Sequence, residues 1–216
     1  MTGHLDLSRT ERVRVREQLR HRVLAAAVDG LQEEMPSPGT VELLTGLAPG
    51  ADYLFAITAL EWYRRQGIRF RLTVLQPLPI DTLMEDWARH RQRRGRRVRQ
   101  RDARRALGEL RELIRASDQV VDLMPNRSLR RRSYANRFRQ IQYRRLAATL
   151  ALSTDVLVAI LRSRALTLPG GTAEVVAWWR EPHQIPQMLS SPFRIGPSHR
   201  QLLLIDPLPQ PVPAVG

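Results

Sequence analysis

Residues 155–161, DVLVAIL, form an apolar run without the in-and-out alternation of a half-buried strand. A strand that is apolar throughout is covered on both faces, the situation of a central strand in a parallel sheet. Parallel neighbours need long crossovers, and helices supply them. The remaining apolar segments fit that demand. TVELLT at 40–45 reads as a second buried strand, FRLTVL at 70–75 alternates like a third, QVVDLM at 119–124 is a shorter candidate, and QLLLI at 201–205 a last one.

Helical patterns lie between them. Ser8-Arg9-Thr10-Glu11 has the S-x-x-E form of a capping box, so a helix is predicted to start there. Val13, Leu19, Val23, Ala27 and Leu31 continue it at near-helical spacing up to the Pro36-Ser37-Pro38-Gly39 break. Residues 51–66 read as a helix with Leu54, Ile57, Ala59 and Leu60 inward and Gly67 as its stop. After a proline-interrupted loop at 76–80 comes a long arginine-rich helical stretch, broken near Gly95 and amphipathic again over 107–114. Residues 134–152 place Phe138, Ile141 and Leu146 on one side, and a further helix runs from Gly171 through Trp179. Strands alternating with helices predict an α/β fold: a doubly wound, mostly parallel sheet with helices on both faces. The 216 residues suit one domain, 1–206, followed by a proline-rich flexible tail, 207–216.

Charge is concentrated in one place. All 35 basic residues are arginine, and residues 85–145 hold 20 of them against seven acids, which is +13 of the total +14. Arg89 to Arg105 alone has ten arginines, one acid (Asp102) and no aromatic closer than Trp87. Charge without interleaved aromatics suits attraction to a phosphate backbone and not base-specific single-strand recognition. A solvated helix, weak polyanion or nucleic-acid binding, and steering of an anionic ligand are the three readings of this segment. Arg130-Arg131-Arg132, just before Tyr134, reads as a ligand clamp, with Tyr134 either stacking on a base or packing in the core.

Other compositional features remove classes of function. The absence of cysteine excludes thiol catalysis, disulfides and zinc-cysteine sites, and fits a reducing compartment. No stretch approaches the ~18 apolar residues of a membrane span. The start lacks a signal-peptide pattern, so no membrane association and a cytoplasmic location are expected. His90, His183 and His199 have no metal-ligand spacing, His21 reads as a solvated helix residue, and no metal site is expected. Trp62, Trp87, Trp178 and Trp179 read as core or interface residues.

Two turns carry the chemistry. TGLAPGAD at 45–52 joins a strand to a helix, and Gly46 and Gly50 permit close backbone approach there. The helix starting at Ala51 aims free N–H groups and its positive dipole end at the crevice beyond the strand ends. Asp52 either caps that helix or meets a ligand hydroxyl. PGGTAE at 169–174 repeats the arrangement: Gly170 and Gly171 leave backbone amides bare, Thr172 adds a hydroxyl, and Glu174 lies in the first turn. A carboxylate beside an anion site suits contact with a ribose hydroxyl or a role as base, unless it only complements the helix dipole. Neither G-x-x-x-x-G-K-[ST] nor G-x-G-x-x-G occurs, which argues against ordinary P-loop ATPases and NAD dehydrogenases.

TGHLDL at 2–7, TGLAPGAD at 45–52, STDVLVA at 153–159 and GGTAEVV at 170–176 occur in the order found in the SLOG superfamily. The chain resembles this Rossmann-like group, which contains the LOG phosphoribohydrolases and the DprA/Smf DNA-processing proteins, over residues 2–179. The resemblance is closest to the nucleotide-sensor branch, whose members often accompany TIR or other effector domains in bacterial conflict systems. It implies one nucleotide pocket lined by Gly3, His4, Gly46, Gly50, Ala51, Asp52, Gly170, Gly171, Thr172 and Glu174, with no further cofactor. His4 would lie beside both turns, as a ligand contact or a plain turn residue. Homodimerisation and an effector partner are implied at family level only.

Departures from the family pattern matter. LOG enzymes carry P-G-G-x-G-T-x-x-E, pairing a catalytic glutamate with an arginine; here Thr172 directly follows Gly171, and Glu174 comes two residues later. Where the sensor branch often has aromatic-Asp-Gly, this chain has Leu161-Arg162-Ser163-Arg164, making Arg162 or Arg164 a phosphate contact. Only Met1 precedes TGH, so the first strand is expected to be truncated if the true start lies upstream. The expected function is a sensor for a nucleotide or ADP-ribose-like ligand that signals to a separate effector. The alternatives are a LOG-like phosphoribohydrolase with Glu174 as the catalytic residue, and a DprA-like nucleic-acid-binding protein.

Overall fold

The capping box at the start of the first helix forms as written. Ser8 accepts from the Glu11 backbone N–H, the Glu11 carboxylate accepts from the Ser8 N–H at 2.7 Å, and helix α1 (Arg9–Gln18) follows. The computed structural model describes residues 2–3, 7–25, 40–93, 99–124, 136–160, 170–189, 201–205 and 207. Beyond α1 the chain widens into a π-helical turn, Leu19–Val23, which the residue spacing did not foretell. The expected continuation through Ala27 and Leu31 falls outside the described residues.

Strand β1 (Thr2–Gly3) precedes α1, and β2 (Val41–Gly46) leads into α2 (Ala51–Gln66). Gly67 stops α2 in the left-handed conformation, φ 68°, as a glycine C-cap does. Then come β3 (Phe70–Gln76), α3 (Ile80–Arg93), α4 (Gln100–Ala116) and β4 (Gln119–Asp122). The expected break at Gly95 lies outside the described residues, between α3 and α4. The chain continues through α5 (Asn136–Ser153), β5 (Val156–Ile160), α6 (Thr172–Arg180), two 3-10 turns (Pro182–Gln184 and Gln187–Leu189) and β6 (Gln201–Ile205).

Every strand pair is parallel, in two ladders ordered β4-β3-β2 and β1-β5-β6. The expected sheet is therefore present as two three-stranded ladders among the described residues, with β1 only two residues long. Side-chain alternation shows that the ladders share two faces. Leu43, Leu72, Val74, Val158, Ile160 and Ile205 join one apolar cluster with α1, α2 and α4. Leu44, Leu75, Leu157, Ala159 and Leu202, one residue out of phase, join a second cluster with α5 and α6. Helices thus cover both faces, which is the doubly wound, Rossmann-like arrangement. It also explains why 156–160 is apolar at every position. Among the described residues no helix is long and apolar enough to cross a membrane.

Candidate functional site

One turn of α5 backs both glycine turns. A Cβ placed on Gly170 would collide with Tyr143 Cβ and lie 2.9 Å from the Arg144 nitrogen. One placed on Gly46 would lie 3.1 Å from Leu146 Cδ2. Tyr143 and Leu146 are separated by about 4.5 Å of helical rise. The turn after β2 and the turn after β5 therefore converge at one edge of the fold. Gly3 is drawn to the same edge, because β1 pairs with β5 in the register Gly3–Ile160. In sheets of this kind, ligands bind beyond the carboxyl ends of the strands.

The first turn contains an unusual carboxyl group. Asp52, the second residue of α2, is 6% exposed, and its Oδ2 would lie 2.7 Å from a Cβ on Gly46. Gly46 is glycine because the Asp52 side chain leans over it. Asp52 is not the helix cap: that position is Gly50, φ 99°, with no side-chain bond to the helix end. Among the described residues the Asp52 carboxyl has no hydrogen-bond or ion-pair partner. Burial raises its pKa to about 7. Ala51 packs its methyl into the core, so only its amide can serve a ligand. The amides of Ala51, Asp52 and Tyr53 have no acceptor among the described residues; the first helical bond is from Leu54 to Gly50.

Gly50 is engaged. Its N–H donates to Glu109 Oε2 at 3.0 Å, and Arg12 grips the same carboxylate with Nη1 at 2.8 Å and Nη2 at 3.1 Å. Glu109 is buried on α4, and Arg12 lies on α1. An internal anion thus occupies one amide of the first turn, and a two-pronged guanidinium balances its charge.

The second turn repeats the device. Gly170 (φ 74°) donates its N–H to Glu174 Oε2 at 2.5 Å, and Glu174 Oε1 meets Arg144 at 3.0 and 3.1 Å. Arg144 also lies over the Trp178 ring, 5.1 Å from its centroid. Glu174 therefore complements its own helix end, and both oxygens are engaged. Gly170 has no room for a side chain, since Tyr143 and Arg144 pack against its Cα. Thr172 is buried at the first position of α6, and the amides of Gly171, Thr172 and Ala173 have no acceptor among the described residues.

The residue patterns gave no warning of what α5 contributes. Gln142 is 1% exposed, and neither its Nε2 nor its Oε1 has a partner among the described residues. It lies one turn before Leu146 on the same helix face. Arg139, also buried, bonds Asp86 at 2.5 Å and Glu85 at 2.9 Å on α3. The Tyr143 hydroxyl donates to the same Asp86 at 3.0 Å, and burial together with that carboxylate holds the phenol well above its usual pKa. A lone Gln, Arg or Tyr in an amphipathic helix carries no motif. Only the fold shows that these three sit inside.

The tryptophans lie where the sequence placed them. Trp87, Trp178 and Trp179 are core residues, and Trp62 packs half-buried against the core. The arginine segment is heterogeneous: Arg91 pairs with Asp102 at 3.5 Å over Trp87, and Arg139 and Arg144 are bound as above. His4, Arg162, Arg164, the Arg130-Arg131-Arg132 run, Tyr134 and His199 lie outside the described residues. Comparison with protein-family models, with curated proteins and with solved structures found no match to the chain.

Proposed function

We propose that this chain is a SLOG-type sensor that binds a nucleotide or ADP-ribose-like molecule and signals to a separate effector. The observation that carries the reading is Asp52: a buried carboxyl that no side chain among the described residues pairs with, its pKa raised by burial against the pull of the N-terminal amine, beside helix amides that have no acceptor among the described residues, at the edge where both glycine turns meet α5. A carboxyl at such an edge can accept from a donor on a ligand. A ribose hydroxyl supplies one. Phosphates would meet the free amides at the α2 and α6 N-termini, with Arg144 beside the second. Gln142, with a free donor and a free acceptor, suits the edge of a base. Ligand binding would then shift the population of states presented to the effector.

Thermal unfolding against nucleotides, cyclic nucleotides, ADP-ribose and NAD tests this, with Gly171→Asp as control. Gly171 is the N-cap of α6 with extended backbone (φ −84°, ψ 172°), a position that accepts Asp without strain. The substitution keeps the helix and fills the anion site with its own carboxylate. Stabilisation by one ligand class, lost in Gly171→Asp, supports the sensor; no shift with any ligand sinks it.

The Arg144–Glu174 pair favours a second reading, because LOG enzymes pair an arginine with a catalytic glutamate. Glu174 would stabilise the ribosyl cation formed as the N-glycosidic bond of a nucleoside monophosphate breaks. Release of free base, abolished by Glu174→Gln, is its test.

A further inference from the structure

Helix α4 divides its residues sharply. Ala106, Leu110 and Leu113 are buried, while Arg101, Arg104, Arg105, Arg111 and Arg115 are exposed within about 120° of the opposite face. Arg105 reaches toward Glu109 at 3.7 Å, and Glu112, on the same face, accepts from the Tyr53 hydroxyl. Arg101, Arg104, Arg111 and Arg115 have no ion-pair partner among the described residues. At spacings of three, seven and four residues they form one stripe, about 21 Å long.

Gly108 lies in the middle of that stripe. It is exposed, its φ is ordinary, and a Cβ added there would meet nothing within 4 Å. Neither packing nor backbone conformation asks for glycine, and in a helix interior glycine is the weaker choice. What its absent side chain does provide is a flat strip of backbone between two pairs of arginines.

We infer that this face of α4 docks onto the phosphate backbone of double-stranded nucleic acid, without reading its sequence. Three observations favour that partner. Of the five exposed charges on this face without an ion-pair partner among the described residues, four are guanidinium, which grips phosphate oxygens two at a time, and the fifth, Glu112, is bonded by the Tyr53 hydroxyl. No exposed large hydrophobic residue lies on α4, so the apolar centre of a protein interface is lacking. No aromatic lies on α4 either, so a single strand would find no stacking platform. A rigid helix with four arginines along 21 Å matches charges fixed on a duplex, and Gly108 allows the helix to approach closely.

The test is fluorescence anisotropy of the full chain with a labelled 20-base-pair duplex across 50–200 mM salt, beside a single strand of equal length. Four released phosphate contacts contribute about −3.6 to the slope of log K against log salt, or about a 150-fold loss over that range. Replacing Arg101, Arg104, Arg111 and Arg115 together by Gln is expected to remove that part of the slope. Thermal unfolding should stay near wild type, since all four side chains are exposed. Gly108→Leu, which changes no charge and improves helix propensity, is expected to weaken duplex binding several-fold. Gly171→Asp should leave it unchanged. Absence of duplex binding at 50 mM salt overturns the proposal, as does an unaltered slope in the fourfold variant. Equal or tighter binding of the single strand overturns it too, and so does a preference for an acidic polypeptide over the duplex.

Discussion

Gly50 donates its backbone N–H to Glu109 across 3.0 Å, and so ties the first glycine turn to the helix that carries the arginine stripe. Arg12 closes the triangle from α1. Three elements distant in sequence are joined at one buried carboxylate. Glu109→Ala leaves Arg12 without its partner and the Gly50 amide without its acceptor. The expected cost is about 3 kcal/mol in urea unfolding. The Arg20–Glu61 pair has a similar 2.8 Å contact, but each side chain is more than a third exposed. Glu61→Gln should cost less than about 1 kcal/mol. Equal costs for the two would show that Glu109 is not the junction described here.

Asp52 gives stability a pH dependence of unusual sign. Its carboxyl titrates near 7 in the folded protein against 3.8 unfolded. Between those values the folded state holds a proton that the unfolded state has released. Stability from this group is therefore greatest below about pH 4, falls as pH rises toward 7, and levels above it. The whole span is at most on the order of 4 kcal/mol. Asp52→Asn should flatten unfolding free energy between pH 4 and 7 and exceed wild type at pH 8. A variant with the wild-type pH profile would place the titration elsewhere.

The fold was legible because its signals are local and redundant. Residues 51–66 carry both an apolar face and a glycine stop, and α2 has those bounds. The apolar run near 156–160 announced a strand covered twice, and two clusters cover it. The site was legible only at its glycines. Gly46, Gly50 and Gly170 advertise close approach or positive φ, but beyond Asp52 the neighbours that crowd or bind them come from α4 and α5, far along the chain. Nothing near Glu109 or Arg144 marks them as partners of a glycine turn. Glu174 shows the limit best: its spacing fitted a ligand contact, an acid–base role or a helix complement, and only Arg144 and the Gly170 amide show where its oxygens go.

Gly67 and Gly170 have similar backbone angles, φ 68° and 74°, in opposite surroundings. Around Gly67 an added Cβ meets nothing within 4 Å, so Gly67→Ala pays only the left-handed strain, about 1 kcal/mol. At Gly170 the same methyl would collide with Tyr143 Cβ and the α5 backbone. Gly170→Ala should add overpacking to strain, for a total of about 3 kcal/mol. Paired thermal melts separate the two, and a Gly170→Ala as mild as Gly67→Ala would mean that α5 does not press on this turn.

Gln142 offers the sharpest separation of stability from binding. Its amide is buried with neither polar atom partnered among the described residues, a loss the folded state bears for no gain in its own packing. Methionine has nearly the same length and volume and no such atoms. Removing an unsatisfied buried amide in favour of an apolar group of similar shape is neutral or stabilising, here by about 1–2 kcal/mol. Gln142→Met should therefore raise the melting temperature of the free protein. If the amide is kept for a ligand, the same variant should lose most of the stabilisation that ligand gives to wild type. Higher stability with undiminished ligand response would make Gln142 a bystander. Lower stability would mean that its amide is satisfied in solution.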